Sequence, residues 1–214
     1  METAKILITK EEMSGMPIVA FPGRIIVADT VEKGEQAIAE LLESCDTVGF
    51  DTETKPSFRK GQTHSVALIQ ISTESTCYLF RVNKTGIFES LKQFLESEKI
   101  SKIGLSLKDD FKVLNRLAPF TPKGFIDLQS VVGRFSIGEG SLQKIYAIIF
   151  GERISKSQRL SNWEAASLSA SQCNYASIDA WACLRIYRTL MAEDFNPSLM
   201  RNYGAPSSPQ PNIK

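Results

Sequence analysis

Histidine is almost absent from this sequence: His64 is the only one in 214 residues. That excludes a histidine-rich zinc centre, a histidine phosphotransfer relay and most Ser-His-Asp arrangements, because each needs an imidazole at a particular place. Cysteine is scarce as well. Cys45, Cys77, Cys173 and Cys183 form no C-x-x-C pair, and three of the four lie in apolar-periodic segments. This is the pattern of small buried thiols rather than of a zinc site or a disulfide framework. No segment reaches the ~18 consecutive apolar residues of a membrane span, and the short apolar patch between Met1 and Lys10 is broken by charge, unlike a signal peptide. A soluble, cytoplasmic protein with no membrane partner is expected. Nor is there an excess of charge, with 25 Lys plus Arg against 24 Asp plus Glu. Any polyanion must therefore be gripped locally rather than by a global field.

What is present is 43% hydrophobic, enough to bury one substantial core. Residues 1–23 read as an irregular N-terminal extension that closes on the turn Phe21-Pro22-Gly23, 24–195 as the main domain, and 196–214, rich in Pro, Ser, Asn and Gly, as a disordered tail. Within the domain, a strand at 24–29 leads into a helix ending near Ser44, with Asp29 offering a carboxylate cap. Strands at 47–53, 65–72 and 76–82 follow, with gaps short enough for an antiparallel meander. A helix at 86–97, a strand at 102–107 and a helix at 109–116 come next. A short strand from Phe125 runs into a helix through Val132, and helices at 141–150 and 169–191 complete the chain. The order implies an α/β protein whose mixed sheet, an antiparallel meander plus parallel strands, is flanked by helices. No internal repeat is visible, and no segment points to a protein partner.

Three short motifs carry acids into this framework. Asp51-Thr52-Glu53 sits in an apolar strand, where period-two geometry puts both carboxylates on one face and Phe50 and Thr52 on the other. Alone, the triplet reads more readily as a solvated strand end. Asp109-Asp110 follows an apolar strand at its carboxyl end, where sites gather in α/β sheets. Asp also favours the first turn of a helix, a role that suits Asp109, while the orientation of Asp110 depends on the helix register. Tyr175 and Asp179, four residues apart in the last helix, stack on one face that is otherwise apolar.

Taken together, Phe50-Asp51-Thr52-Glu53-Thr54, Gly104-Leu105-Ser106-Leu107-Lys108-Asp109-Asp110 and Tyr175-x-x-x-Asp179 resemble the motifs of the DEDD (DnaQ-like) 3′-5′ exonuclease superfamily. The likeness runs from about residue 24 to 190, and Ser161-Asn162-Trp163 also looks like the Werner-type pattern. The histidine branch would need His five residues before Asp179; Asn174 stands there, so the sequence resembles the tyrosine branch, with ribonuclease D and the Werner-type exonuclease domain. The resemblance implies a ribonuclease H-like sheet and a metal-dependent 3′-5′ exonuclease that releases nucleoside 5′-monophosphates from a DNA or RNA 3′ end. It also implies two Mg²⁺ or Mn²⁺ ions held by Asp51, Glu53, Asp110 and Asp179, as suits oxygen ligands. Tyr175 would orient the attacking water, with Glu53 sharing in its activation.

Substrate contacts are expected from Lys156 and Arg159, which equally read as a solvated basic loop, and from Phe58, which would stack on the terminal base or lie on a surface loop. Trp163 reads as core. A catalytically inactive nucleic-acid-binding module of the same fold is the alternative from another class, and it has little use for a mutually repelling acidic cluster.

Overall fold

The structure is a computed structural model that describes residues 5–58, 64–197 and 200. Its strands are β1 (Arg24–Ala28), β2 (Thr47–Thr54), β3 (Val66–Ser72), β4 (Thr76–Phe80), β5 (Ser101–Gly104) and β6 (Phe125–Asp127). They form one sheet in the order β1-β4-β3-β2-β5-β6. The meander is there: β2–β3 and β3–β4 are antiparallel, while β1–β4, β2–β5 and β5–β6 are parallel. Every residue of β3 is buried, as expected of a strand covered on both faces.

The helices are α1 (Lys10–Ser14), α2 (Val31–Ser44), α3 (Val82–Thr85), α4 (Glu89–Leu95), α5 (Leu107–Leu117), α6 (Leu128–Val132), α7 (Leu142–Phe150) and α8 (Ala170–Met191). On one face of the sheet, Phe50, Ile69 and Phe80 pack with Leu41 of α2, Phe94 of α4 and Leu114 of α5. On the other, Leu68 and Leu79 pack with Tyr146 of α7 and with Trp181 and Ile186 of α8. Among the described residues no helix is long and apolar enough to cross a membrane.

Several boundaries differ from the sequence reading, each for a tertiary reason. The strand expected at 102–107 stops at Gly104, and the helix already begins at Leu107. Ser106 takes a left-handed φ of 62° between them. The turn is held from outside, because the Asp127 carboxylate at the end of β6 accepts hydrogen bonds from the Ser106 and Leu107 backbone N–H groups at 3.1 and 3.0 Å. Asp109 therefore has no capping duty and pairs with Lys112 at 2.8 Å. In the same way Thr30, not Asp29, caps α2 by accepting from the Lys33 N–H, while Asp29 pairs with the Lys33 side chain.

The strand expected to reach residue 82 ends at Phe80, and the buried Arg81 precedes the short α3; Gly86, with φ 65°, separates α3 from α4. The first twenty residues are not irregular throughout. Thr9 opens α1 with a reciprocal capping box, and Ile8, Met16, Val19 and Phe21 are buried in the core beside α7 and α8. Of the segment expected to be a disordered tail, residues 198–199 and 201–214 lie outside the described residues, whereas Met200 is buried against that same core.

Candidate active site

Asp51 and Glu53 project from the end of β2, at the centre of the sheet. The β2–β3 register shifts just after Glu53, a bulge of the kind that re-aims side chains beside sites. Asp179 arrives from α8, and its approach depends on Gly49. A Cβ on Gly49 would stand 1.8 Å from the Ala180 carbonyl oxygen, so only glycine lets this helix lie so close to β2. Ligand oxygens of Asp51, Glu53 and Asp179 all lie within 4.8 Å of one another.

Asp110, on α5, reaches the cluster from the opposite face of the sheet and stands outside that triplet. Its carboxylate accepts a hydrogen bond from the Thr52 hydroxyl at 2.5 Å. Thr52 thus points away from Asp51 and Glu53, as period two demands, and still serves the site. Tyr175, one turn before Asp179 on α8, lines the same cleft as Asp51 and Asp179. Behind the phenol lies Trp163, fully buried with its ring centroid 6.0 Å from that of Tyr175, in the core role expected of it.

Burial raises the pKa of all four carboxyls. For Asp51 the next causes are the charges of Asp179, Asp110 and Glu53. Glu53 is pushed up to about 8 by burial and by Asp179 and Asp110, against an opposing pull from Arg159. Asp110 rises to about 6, restrained by its bond from Thr52. Asp179 is raised by burial and restrained by Tyr175 and Lys156. Burial also drives the Tyr175 phenol upward, with Asp179 and Glu53 adding to it, so this hydroxyl keeps its proton in the metal-free fold.

The site fits a divalent cation. Close carboxylates at an effective dielectric of 20 repel by about 4 kcal/mol per pair at 4 Å, and cations relieve this. No Lys or Arg forms an ion pair with any of the four acids among the described residues. Beside them, Gln70 stands directly opposite Asp51 in the β2–β3 register, fully buried with neither amide atom partnered among the described residues. Such an orphaned amide belongs beside a hydrated polar centre.

A cleft of about 170 Å³ opens onto Asp51, Tyr175 and Asp179, with Lys156 on its rim. Lys156 and Arg159 are exposed near the acids. Phe58 is 81% exposed at the edge of the β2–β3 connection. A larger cavity of about 630 Å³ lies at the other end of β2, beside Arg24, Glu40 and Arg188. Within it the Tyr78 hydroxyl donates to Glu40 at 2.9 Å and Arg188 is bound to Glu74 at 2.6 Å.

Some supporting residues escaped the sequence reading. Glu164 joins His64 at 3.2 Å and Lys55 at 3.3 Å, tying the connection after β2 to the loop before α8. Arg81 donates to the Ala165 carbonyl in that loop. No local pattern marks either, since each partner lies far away in sequence.

A family model described as 3′-5′ exonuclease matches residues 26–193. The chain belongs to this family. Among curated 3′-5′ exonuclease relatives, the bifunctional 3′-5′ exonuclease/ATP-dependent helicase WRN of Mus musculus is 33% identical over 184 residues, covering 82% of this chain and 13% of that protein. The 3′-5′ exonuclease of Arabidopsis thaliana is 30% identical over 191 residues, covering 81% of this chain and 66% of that protein. The chain thus spans only part of the length of these relatives. The solved exonuclease domain of Aedes aegypti Nibbler shares the fold with a TM-score of 0.70 at 20% identity, covering 82% of this chain and 92% of that one.

Proposed function

We propose that this exonuclease-family chain hydrolyses phosphodiester bonds at the 3′ end of a nucleic-acid strand and releases nucleoside 5′-monophosphates. The observation that carries the reading is the convergence of Asp51, Glu53 and Asp179 within 4.8 Å from a strand and a helix, with Asp110 added from the far face of the sheet. Three converging carboxylates and a fourth set back are oxygen donors suited to two Mg²⁺ or Mn²⁺ ions, and Asp110 would help hold one of them through water. Such ions, when bound, supply Lewis acids that polarise the scissile phosphate, lower the pKa of the attacking water and stabilise the leaving oxygen.

The remaining work falls to this chain's side chains. Asp51, Glu53 and Asp179 would hold the ions directly. Tyr175, beside Asp179 in the cleft, would offer its hydroxyl to that carboxylate and to the attacking water, positioning both. A phenol is a poor base at its ordinary pKa, so positioning the water is the role this residue would play. Lys156 and Arg159 neutralise phosphate charge at the rim, and Phe58 offers a face for stacking on the terminal base.

The test is release of mononucleotides from labelled DNA and RNA in Mg²⁺ or Mn²⁺, with and without EDTA. Metal-dependent release from the 3′ end, abolished in Asp51→Asn with the fold intact by circular dichroism, is the expected result. Strand binding with no release under any metal would replace the reading with that of an inactive binding module.

A further inference from the structure

The catalytic cleft continues into a second groove of about 400 Å³ that shares Ser141, Gln143, Ile154 and Lys156 with it. Its charged lining consists of Lys10, Lys144, Arg153, Lys156 and Arg159, with no carboxylate among them. In a chain of net charge +1, five cations along one groove are a local concentration. Lys144 is occupied by Glu139 at 3.0 Å, and Arg153 spends its Nε on the Met16 carbonyl at 3.1 Å. Lys10, Lys156 and Arg159 are exposed and form no ion pair among the described residues.

One wall of the groove is α1, and it is fastened there. The Arg153 N–H donates to the Pro17 carbonyl at 2.9 Å, the Val19 N–H to the Arg153 carbonyl at 3.0 Å, and the Gly138 N–H to the Ile6 carbonyl at 2.9 Å. The Ile8 N–H is bound by Glu139 at 3.1 Å while the Ile8 side chain enters the core. Glu11 and Glu12 belong to α1 but do not line the groove; Glu12 is turned back onto Thr9.

We propose that this groove is the track for the substrate strand on the 5′ side of the scissile bond, and that Lys10 of the N-terminal segment binds one of its phosphates. The inference rests on the exonuclease reading for the polarity of the strand. It makes the N-terminal segment a determinant of strand length, because a dinucleotide engages the carboxylates without extending far enough to reach α1.

Two measurements test it. The first is binding of a labelled single strand of about ten nucleotides, within the site sizes of such grooves, in EDTA over a range of salt. Lys10→Ala should lower the magnitude of the logarithmic salt slope by about 0.7, the value for one phosphate contact on a single strand, and Lys10→Arg should restore it. The second is the ratio of kcat/KM on that strand to kcat/KM on a dinucleotide, which should fall about three- to tenfold in Lys10→Ala through KM rather than kcat. An unchanged salt slope, or equal losses on both substrates, would overturn the groove assignment. A slope lowered by Lys10→Ala, together with a wild-type protein that releases no mononucleotide, would sink the exonuclease reading and leave the groove standing as a strand-binding site.

Discussion

Thr52 shows how a residue can serve a site from the wrong side. Its position between Asp51 and Glu53 sends its side chain to the opposite face, where α5 delivers Asp110 and the two share a 2.5 Å hydrogen bond. That bond favours the ionised form of Asp110 against burial, the larger influence. Thr52→Val keeps the shape and removes the donor, so the Asp110 pKa should climb beyond its present value of about 6. Loss of a group that orients a ligand costs about ten- to hundredfold, and steady-state kinetics should show that fall in kcat while Thr52→Ser stays near wild type. Equal activity in the valine variant would remove Thr52 from the machinery. The acids themselves were legible because their geometry is local: period two aligns Asp51 with Glu53, and one helical turn aligns Tyr175 with Asp179. The partners of these acids were not. Thr52–Asp110 spans 58 positions, and the Asp127 carboxylate that fixes the turn before α5 acts across 21.

At the scale of elements, the site is a matter of how closely α8 can approach β2. Gly49 sits inside an apolar strand, where a glycine otherwise weakens the sheet. Its Cβ would stand 1.8 Å from the Ala180 backbone oxygen, one residue from Asp179. Gly104 is less constrained, since a Cβ there would meet Leu107 Cδ2, the movable end of a side chain, at 2.4 Å. Gly49→Ala should force α8 outward, with overpacking of about 1 to 3 kcal/mol seen as a lower midpoint in urea. Displacing Asp179 by even about 1 Å should lower kcat around a hundredfold. A variant with full activity and an unchanged midpoint would show that α8 can yield without moving the carboxylate. The pattern of hydrophobic residues located the strands and helices well, because strands covered on both faces read as short continuous apolar runs and the helices against them as apolar stripes. It could not locate ends set by tertiary partners, such as the stop at Gly104. Nor could it foresee Lys102, fully buried in β5, whose ammonium donates to the Phe94 and Ser97 carbonyls at 3.0 and 2.6 Å.

For the whole molecule, the acidic centre is a debt of stability that the rest of the fold carries. The Asp51, Glu53, Asp110 and Asp179 pKa values are raised above their ordinary values of 3.8 and 4.5 in the metal-free fold. A group whose folded pKa is raised binds protons more readily in the native state than in the unfolded one. Its contribution is complete below the unfolded pKa and is lost as pH rises through the folded value. For Asp110 and Glu53 that loss runs through about 6 and about 8. The metal-free protein should therefore lose thermal stability between about pH 4 and pH 8. Saturating Mn²⁺ should reverse the loss, since a ligand at 100 times its Kd stabilises by about 2.7 kcal/mol. Because the ligands must be ionised, the rise in Tm with Mn²⁺ should be larger at alkaline pH than near pH 5, with proton release visible in weakly buffered solution. Asp51→Asn removes the carboxylate that Asp179, Asp110 and Glu53 all repel, so in EDTA its melting temperature should fall less steeply with pH than that of the wild type. A wild-type midpoint that is flat in EDTA across this range and indifferent to Mn²⁺ would mean that the four carboxylates do not act as one cation-binding centre.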